Sequence, residues 1–135
     1  MFPNHFHLLR RQVKRSFRKP LVVFTPKKLL RYPGAISTMK DLSNGTFEPV
    51  IDDASRATKA AAKKVKRVVL CSGKFYYDLL EERDARGIDD IYLLRIEQFY
   101  PFPAHSLIKE LERFKGAEMV WCQEEPKNQG AWTFI

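Results

Sequence analysis

Between Val65 and Pro103 the apolar positions change period twice. Val65, Val68, Val69 and Leu70 form a short, β-branched run that stops at Ser72-Gly73, the length and boundary of a buried strand. Phe75, Tyr76, Leu79 and Leu80 then recur at helical spacing, with Asp78, Glu81, Glu82 and Arg86 on the wet faces. Glu82 and Arg86 stand four apart in the favourable order, and Gly87 supplies a stop. Ile91–Ile96 is a second apolar run, closed by Pro101 and Pro103. Strand, helix and strand within about forty residues make a βαβ unit, which predicts an α/β fold with a mainly parallel sheet and a right-handed crossover.

The flanks carry weaker patterns. Pro3-Asn4 opens a helix with Asn4 as its cap, and Phe6, Leu9, Val13 and Phe17 fall on one face of it. Pro20 ends that helix, and Leu21–Thr25 reads as a short buried strand stopped by Pro26. From Leu29 to Lys64 there are turn dipeptides, Pro33-Gly34 and Asn44-Gly45, but little periodicity. Asp52–Lys64 is polar and alanine-rich, as in a linker or mobile loop. A stretch of that length without regular structure predicts a crossing between two domains, with segments 1–31, 32–64 and 65–135. After the βαβ unit, Ala104–Phe114 is an amphipathic helix with Leu107, Ile108, Leu111 and Phe114 inward, closed by Gly116. Met119–Cys122 is a third strand, and Asn128-Gln129-Gly130 looks like the entry to another helix. A three-stranded parallel sheet with a raw edge is a poor stopping point, so the chain is expected to be cut at both ends.

Charge divides the chain more sharply than hydropathy does. Residues 1–31 hold nine of the 24 Lys and Arg and no acid, whereas the rest is close to neutral. Different surroundings for the two parts follow. A 44% apolar content is enough for a core. No apolar run approaches the ~20 residues of a membrane span, and the arginine-rich start lacks the apolar segment of a secretory signal. The two cysteines, Cys71 and Cys122, form no CxxC pair and lie at the ends of predicted strands. Free thiols in a reducing compartment are the default, with a disulfide between neighbouring strands as the minor alternative.

Few residues are grouped as chemistry requires. His5 and His7 stand two apart, unlike the i, i+4 pair of a zinc site, so capping or packing is expected of them. Ser72-Gly73-Lys74 has the strand-to-helix placement of a phosphate loop but lacks the upstream glycine, and serves as a tight turn. Glu124 and Glu125 follow a parallel strand, where α/β folds keep their sites. With no nucleophile, histidine or metal ligand beside them, they are expected, with Asn128 and Gln129, to bond loops or an interface. Phe99, Tyr100 and Phe102 read as packing. The basic stripe of Arg10, Arg11, Lys14, Arg15 and Arg18 suits a solvated helix face or one paired with acidic surface. A free-standing basic α/β module binding nucleotides or nucleic acid is the competing reading.

Six ordered blocks carry a resemblance: HFHLLRRQ (5–12), RKPLVVFTPKKLLR (18–31), NGTF (44–47), VLCSGKFYYDL (69–79), RIEQFYPFP (95–103) and WCQEEPKNQGAW (121–132). Together they resemble the C-terminal region of the thiamine-diphosphate-dependent first component of the 2-oxoglutarate dehydrogenase complex. The resemblance implies that 1–31 closes a pyrimidine-binding domain with its last helix and strand. By the same token, 32–64 links domains and 65–135 begins a transketolase-like C-terminal domain. It further implies oxidative decarboxylation of 2-oxoglutarate by a homodimer, with succinyl passed to a lipoyl acyltransferase alongside a dihydrolipoyl dehydrogenase. The setting implied is the cytoplasm of a bacterium or the mitochondrial matrix of a eukaryote. Thiamine diphosphate and magnesium would bind outside this segment, since no Gly-Asp-Gly triplet occurs in it. No catalytic residue, cofactor contact or metal ligand is therefore assigned here, and the segment alone is expected to be inactive. Family members bind adenine nucleotides or acetyl-coenzyme A at arginine-rich positions, which makes Arg10, Arg11, Lys27 and Arg31 the candidates here.

Overall fold

A computed structural model describes residues 2–54 and 62–135. The chain forms two compact units, Met1–Glu48 and Pro49–Ile135. Most of the expected linker at 52–64 therefore lies outside the described residues, at 55–61.

In the first unit, helix α1 spans Phe2–Lys14. Asn4 is inside it, not at its cap, and with His7 it forms the face that the unit buries. The Asn4 side-chain amide donates to the Glu48 carbonyl at 2.8 Å and its oxygen accepts from the Glu48 amide at 2.8 Å. His7 Nε2 donates to the Asp41 carbonyl at 2.9 Å, which fixes the proton on that nitrogen. The apolar stripe is uncovered: Phe6, Leu9, Val13 and Phe17 are all exposed, Val13 at 72%. Helix α1 stops at Lys14, well before Pro20. Arg11 with Arg15 and Lys14 with Arg18 are like charges four apart, with no acid to offset them, and such pairs oppose helix extension.

The expected strand at Leu21–Thr25 does not form; the segment is irregular, with Val22 71% and Phe24 94% exposed. Strands exist only as paired backbone, and no other described residue of this unit is in a strand. Residues 27–48, most of which carry weak signals in sequence, hold short helices instead. A 3₁₀ turn at Lys27–Arg31 buries Leu29, another at Pro33–Ala35 buries Ala35, and α2 spans Met39–Asn44. Thr38 and Asp41 close a capping box on α2, Thr38 Oγ1 accepting the Asp41 amide at 3.2 Å and Asp41 Oδ2 accepting the Thr38 amide at 2.8 Å.

The second unit is a mixed α/β domain. Its strands are β1 (Val50–Ile51), β2 (Arg67–Cys71), β3 (Ile91–Ile96) and β4 (Glu118–Trp121), in the order β1-β3-β2-β4. Strands β3, β2 and β4 run parallel, as expected, while the two-residue β1 pairs antiparallel with β3, Val50 facing Ile96. Helix α3 (Phe75–Ala85) connects β2 to β3 and ends where Gly87 takes φ 63°. Helix α4 (Ala104–Leu111), extended by a 3₁₀ turn at Glu112–Phe114, connects β3 to β4.

Alternation sorts the strands onto two faces. Val68, Leu70, Tyr92, Leu94 and Ile96 pack with Val50, Leu107 and Phe114 in the main core. Ile108, expected inward, is 58% exposed. On α3 the buried residues are Tyr76, Tyr77 and Arg83, so the helix presents rings and a cation where leucines were expected. No helix forms after β4. Gln129 donates its amide to the Pro126 carbonyl at 2.9 Å, and Gly130 takes φ 68°.

Candidate functional site

Parallel strands that end together deliver their following turns to one edge, the usual location of an α/β site. Here β2 delivers Ser72-Gly73-Lys74 and β4 delivers the loop from Gln123. Gly73 has φ 59°, a conformation that favours glycine, and lets the chain turn sharply into α3. Lys74 Nζ is 2.5 Å from Glu124 Oε2, an exposed pair that links the two turns. Glu125 does not join Glu124: its Oε2 lies against Gly130. The two carboxylates thus meet different groups, Lys74 and the Gly130 backbone.

Gln123 organises the rest of that loop. Its Oε1 accepts from Trp121 Nε1 at 2.8 Å, and its Nε2 faces the carbonyls of Glu125, Pro126 and Gln129 at 3.0, 3.1 and 2.8 Å. Gln129 thus contributes its backbone to the loop, while Asn128 is exposed. The spacing of a single glutamine before a proline turn gives no signal of this role.

Behind the edge lies a polar layer that the sequence reading missed. Arg95, in register with Cys71, is 7% exposed, with its guanidinium 4.2 Å from the Tyr76 ring centre and 5.9 Å from that of Tyr77. Ring faces hold the cation. Its Nε and Nη1, like Glu97 Oε1, have no hydrogen-bond partner. Burial, then Asp53, raises the Tyr76 phenol to about 12 against the opposing pull of Arg95. Burial pushes the Cys71 thiol up to about 12, again against Arg95.

Deeper still, Arg83 Nη1 pairs with Asp53 Oδ2, the side chains 3% and 0% exposed. Asp53 Oδ2 also accepts the Leu93 amide at 3.5 Å, while the Asp53 amide donates to the Tyr92 hydroxyl at 3.1 Å. Burial opposes the Arg83 charge, but hydrogen bonding and attraction from Asp53, then Asp84, outweigh it and hold its pKa above the ordinary value. A carboxylate and a guanidinium thirty residues apart carry no local sequence signature. Only the apolar run around Arg95 hinted at burial; Arg83 stands between Glu82 and Asp84 and gave no such hint.

In the first unit, the candidate cations stand on two elements. Arg10 and Arg11 leave α1 toward the turn after α2: Arg10 Nη1 reaches the Gly45 carbonyl at 3.4 Å, and the Arg11 guanidinium lies 4.1 Å over the Phe47 ring. Partial burial, then repulsion from Arg15, lowers the Arg11 pKa. Lys27 and Arg31 are exposed on the 3₁₀ turn. Among the described residues no group of three His, Cys, Asp or Glu comes together to hold a metal ion, and no helix is long and apolar enough to cross a membrane.

Known proteins share this chain's sequence over nearly its whole length. It is 61% identical over 139 aligned residues to the 2-oxoglutarate dehydrogenase E1 component of Brucella abortus (strain S19), covering 98% of this chain and 14% of the relative. The corresponding proteins of Brucella ovis and Brucella melitensis biotype 2 are each 62% identical over the same shares. The chain thus spans about one seventh of the length of these relatives. Residues 36–135, which include the whole second unit, match the family model described as 2-oxoglutarate dehydrogenase C-terminal, and the chain belongs to that family.

Proposed function

We propose that this chain is a C-terminal stretch of a 2-oxoglutarate dehydrogenase E1 subunit, and that its work in that subunit is architectural and regulatory. The reading rests on the 61% identity spanning 98% of the chain. The parent oxidatively decarboxylates 2-oxoglutarate and passes succinyl to lipoyl-lysine of an acyltransferase, with a dihydrolipoyl dehydrogenase completing the complex. Thiamine diphosphate, held with magnesium outside this segment, stores the electrons released when carbon dioxide leaves. Residues 1–31 close the pyrimidine-binding domain, whose body covers the stripe of Phe6, Leu9, Val13 and Phe17. The second unit begins the transketolase-like domain and contributes dimer contacts through the Gln123–Gly130 loop. Arg10, Arg11, Lys27 and Arg31 receive the phosphates of an adenine nucleotide or acetyl-coenzyme A, for which guanidinium groups suit bidentate pairing. The parent works in the bacterial cytoplasm.

A segment exchange tests this. A Brucella E1 component carrying this chain in place of its own matching stretch should dimerise and decarboxylate 2-oxoglutarate, and replacing Arg10 and Arg11 by Ala should blunt effector response while leaving basal turnover. This chain alone, given thiamine diphosphate, magnesium and 2-oxoglutarate, should release no carbon dioxide. A folded exchange protein without activity, or turnover by the chain alone, overturns the reading. Tight binding of an oligonucleotide that survives moderate salt would favour the free-standing module instead.

A further inference from the structure

We infer that Cys71 and Cys122 are a thiol pair that a peroxide converts, reversibly, to a disulfide between neighbouring strands. The pairing of β2 with β4 is parallel and in register from Arg67 with Glu118 to Leu70 with Trp121. The Cys122 amide donates to the Leu70 carbonyl at 2.8 Å, so the ladder continues one residue further and brings Cys71 beside Cys122. Alternation puts Arg67, Val69 and Cys71 on one face with Glu118, Val120 and Cys122. Side chains at registered positions on that face do meet: Arg67 Nε is 2.7 Å from Glu118 Oε2. Neighbouring strands lie about 4.8 Å apart, within the Cα separations of about 4.4–6.8 Å that a disulfide spans. Both cysteines are free thiols.

Their environments differ in a useful way. Cys71 is sealed at 0% exposure, while Cys122 is half-buried at the loop and meets solvent. Cys122 is therefore the thiol that meets the peroxide and Cys71 the resolving one. The Cys122 thiolate attacks one peroxide oxygen, the O–O bond breaks, and the other oxygen leaves as water after taking a proton, giving a sulfenic acid. Cys71 sulfur then attacks Cys122 Sγ, the S–O bond breaks, and hydroxide leaves as water with the Cys71 proton. Two thiols and one hydrogen peroxide become one disulfide and two waters. Arg95, in register with Cys71, favours its thiolate as that proton departs. Disulfides in reducing compartments are typically transient and redox-sensing, and this one would lock the Ser72–Lys74 turn to the Gln123 loop.

The test treats the purified chain with hydrogen peroxide, alkylates remaining thiols after denaturation, and maps tryptic peptides by mass. The expected product joins Val68–Lys74 to Gly116–Lys127 with loss of two hydrogens, forms at a rate independent of protein concentration, and returns to two alkylatable thiols with dithiothreitol. Cys122→Ser should leave Cys71 alkylatable after the same exposure, and Cys71→Ala should stop Cys122 at the sulfenic acid or beyond. Two outcomes overturn the inference: Cys71 remaining a free thiol while Cys122 is over-oxidised or linked between chains, or Cys71 being consumed equally fast in Cys122→Ser. Circular dichroism of Cys122→Ser, a half-buried position, verifies that the variant keeps its fold.

Discussion

Replacing Asp53 by Ala tests whether the Arg83–Asp53 pair holds the second unit together. Both side chains are sealed, and Asp53 Oδ2 serves the Arg83 guanidinium and the Leu93 amide together. Removing it leaves the buried guanidinium to the exposed Asp84 carboxylate, 3.2 Å from its Nε, and takes the acceptor from a sheet amide. Loss of one partner from a buried pair costs about 3–5 kcal/mol, against roughly 5–15 kcal/mol for the total stability of a domain. With a urea dependence of about 1.5 kcal/mol per molar, that range moves the unfolding midpoint down by roughly 2–3 M. The assay is urea unfolding followed by tyrosine and tryptophan fluorescence, alongside Arg83→Met and the double variant. Arg83→Met with Asp53→Ala should recover much of the loss, because no charge is then left stranded. A cost below about 1 kcal/mol for Asp53→Ala, the value of an exposed pair, would refute the reasoning.

Three further outcomes follow from the same contacts. Cys71 and Tyr76 both ionise near 12 when folded, above the ordinary 9.0 and 10.0, so the unfolded chain loses those protons first. Their contribution is fully present below pH 9, declines as pH rises, and is gone above about 12; urea midpoints measured across that window should fall, and less steeply in Cys71→Ala. In the first unit, Asn4→Ala removes both hydrogen bonds to Glu48, and Gly45→Ala drives a methyl into the Asp41 carbonyl and His7. Each should cost about 1–3 kcal/mol, read as faster proteolysis of Met1–Glu48. By contrast, Glu124→Ala, at an exposed pair with Lys74, should shift the urea midpoint of the second unit by less than the equivalent of about 1 kcal/mol.

The parts of the fold visible in sequence are those fixed by local period. Strands β2, β3 and β4 and helices α3 and α4 appear within a residue or two of their expected places, because each carries a run or a stripe long enough to specify itself. What was illegible depends on partners. Leu21–Thr25 has the composition of a strand and none of the pairing; Val50–Ile51 has only two residues yet pairs because Ile96 and Arg95 lie opposite. The capping box of α2 was present as Thr38 and Asp41 but lay in a stretch without a hydrophobic stripe to draw attention. The site divides similarly. Lys74 and Glu124 were flagged by position at strand ends, whereas Arg95, Arg83, Asp53 and Gln123 act through contacts made far along the chain.

Strand β1 is the shortest element of the sheet, and it covers the outer side of β3 only at Arg95 and Ile96. An unoccupied side is a row of free amides and carbonyls that another chain can adopt. Two residues bond too few of those groups to stay by themselves, and the ion pair that follows at Asp53 clamps the strand in place. The pair therefore guards solubility as well as stability: freeing β1 together with Asp53 would bare the Leu93 amide and the backbone of Arg95 and Ile96, on a β-prone strand, to self-association. Damage at Asp53 should then appear first as turbidity at concentrations where the intact chain stays clear.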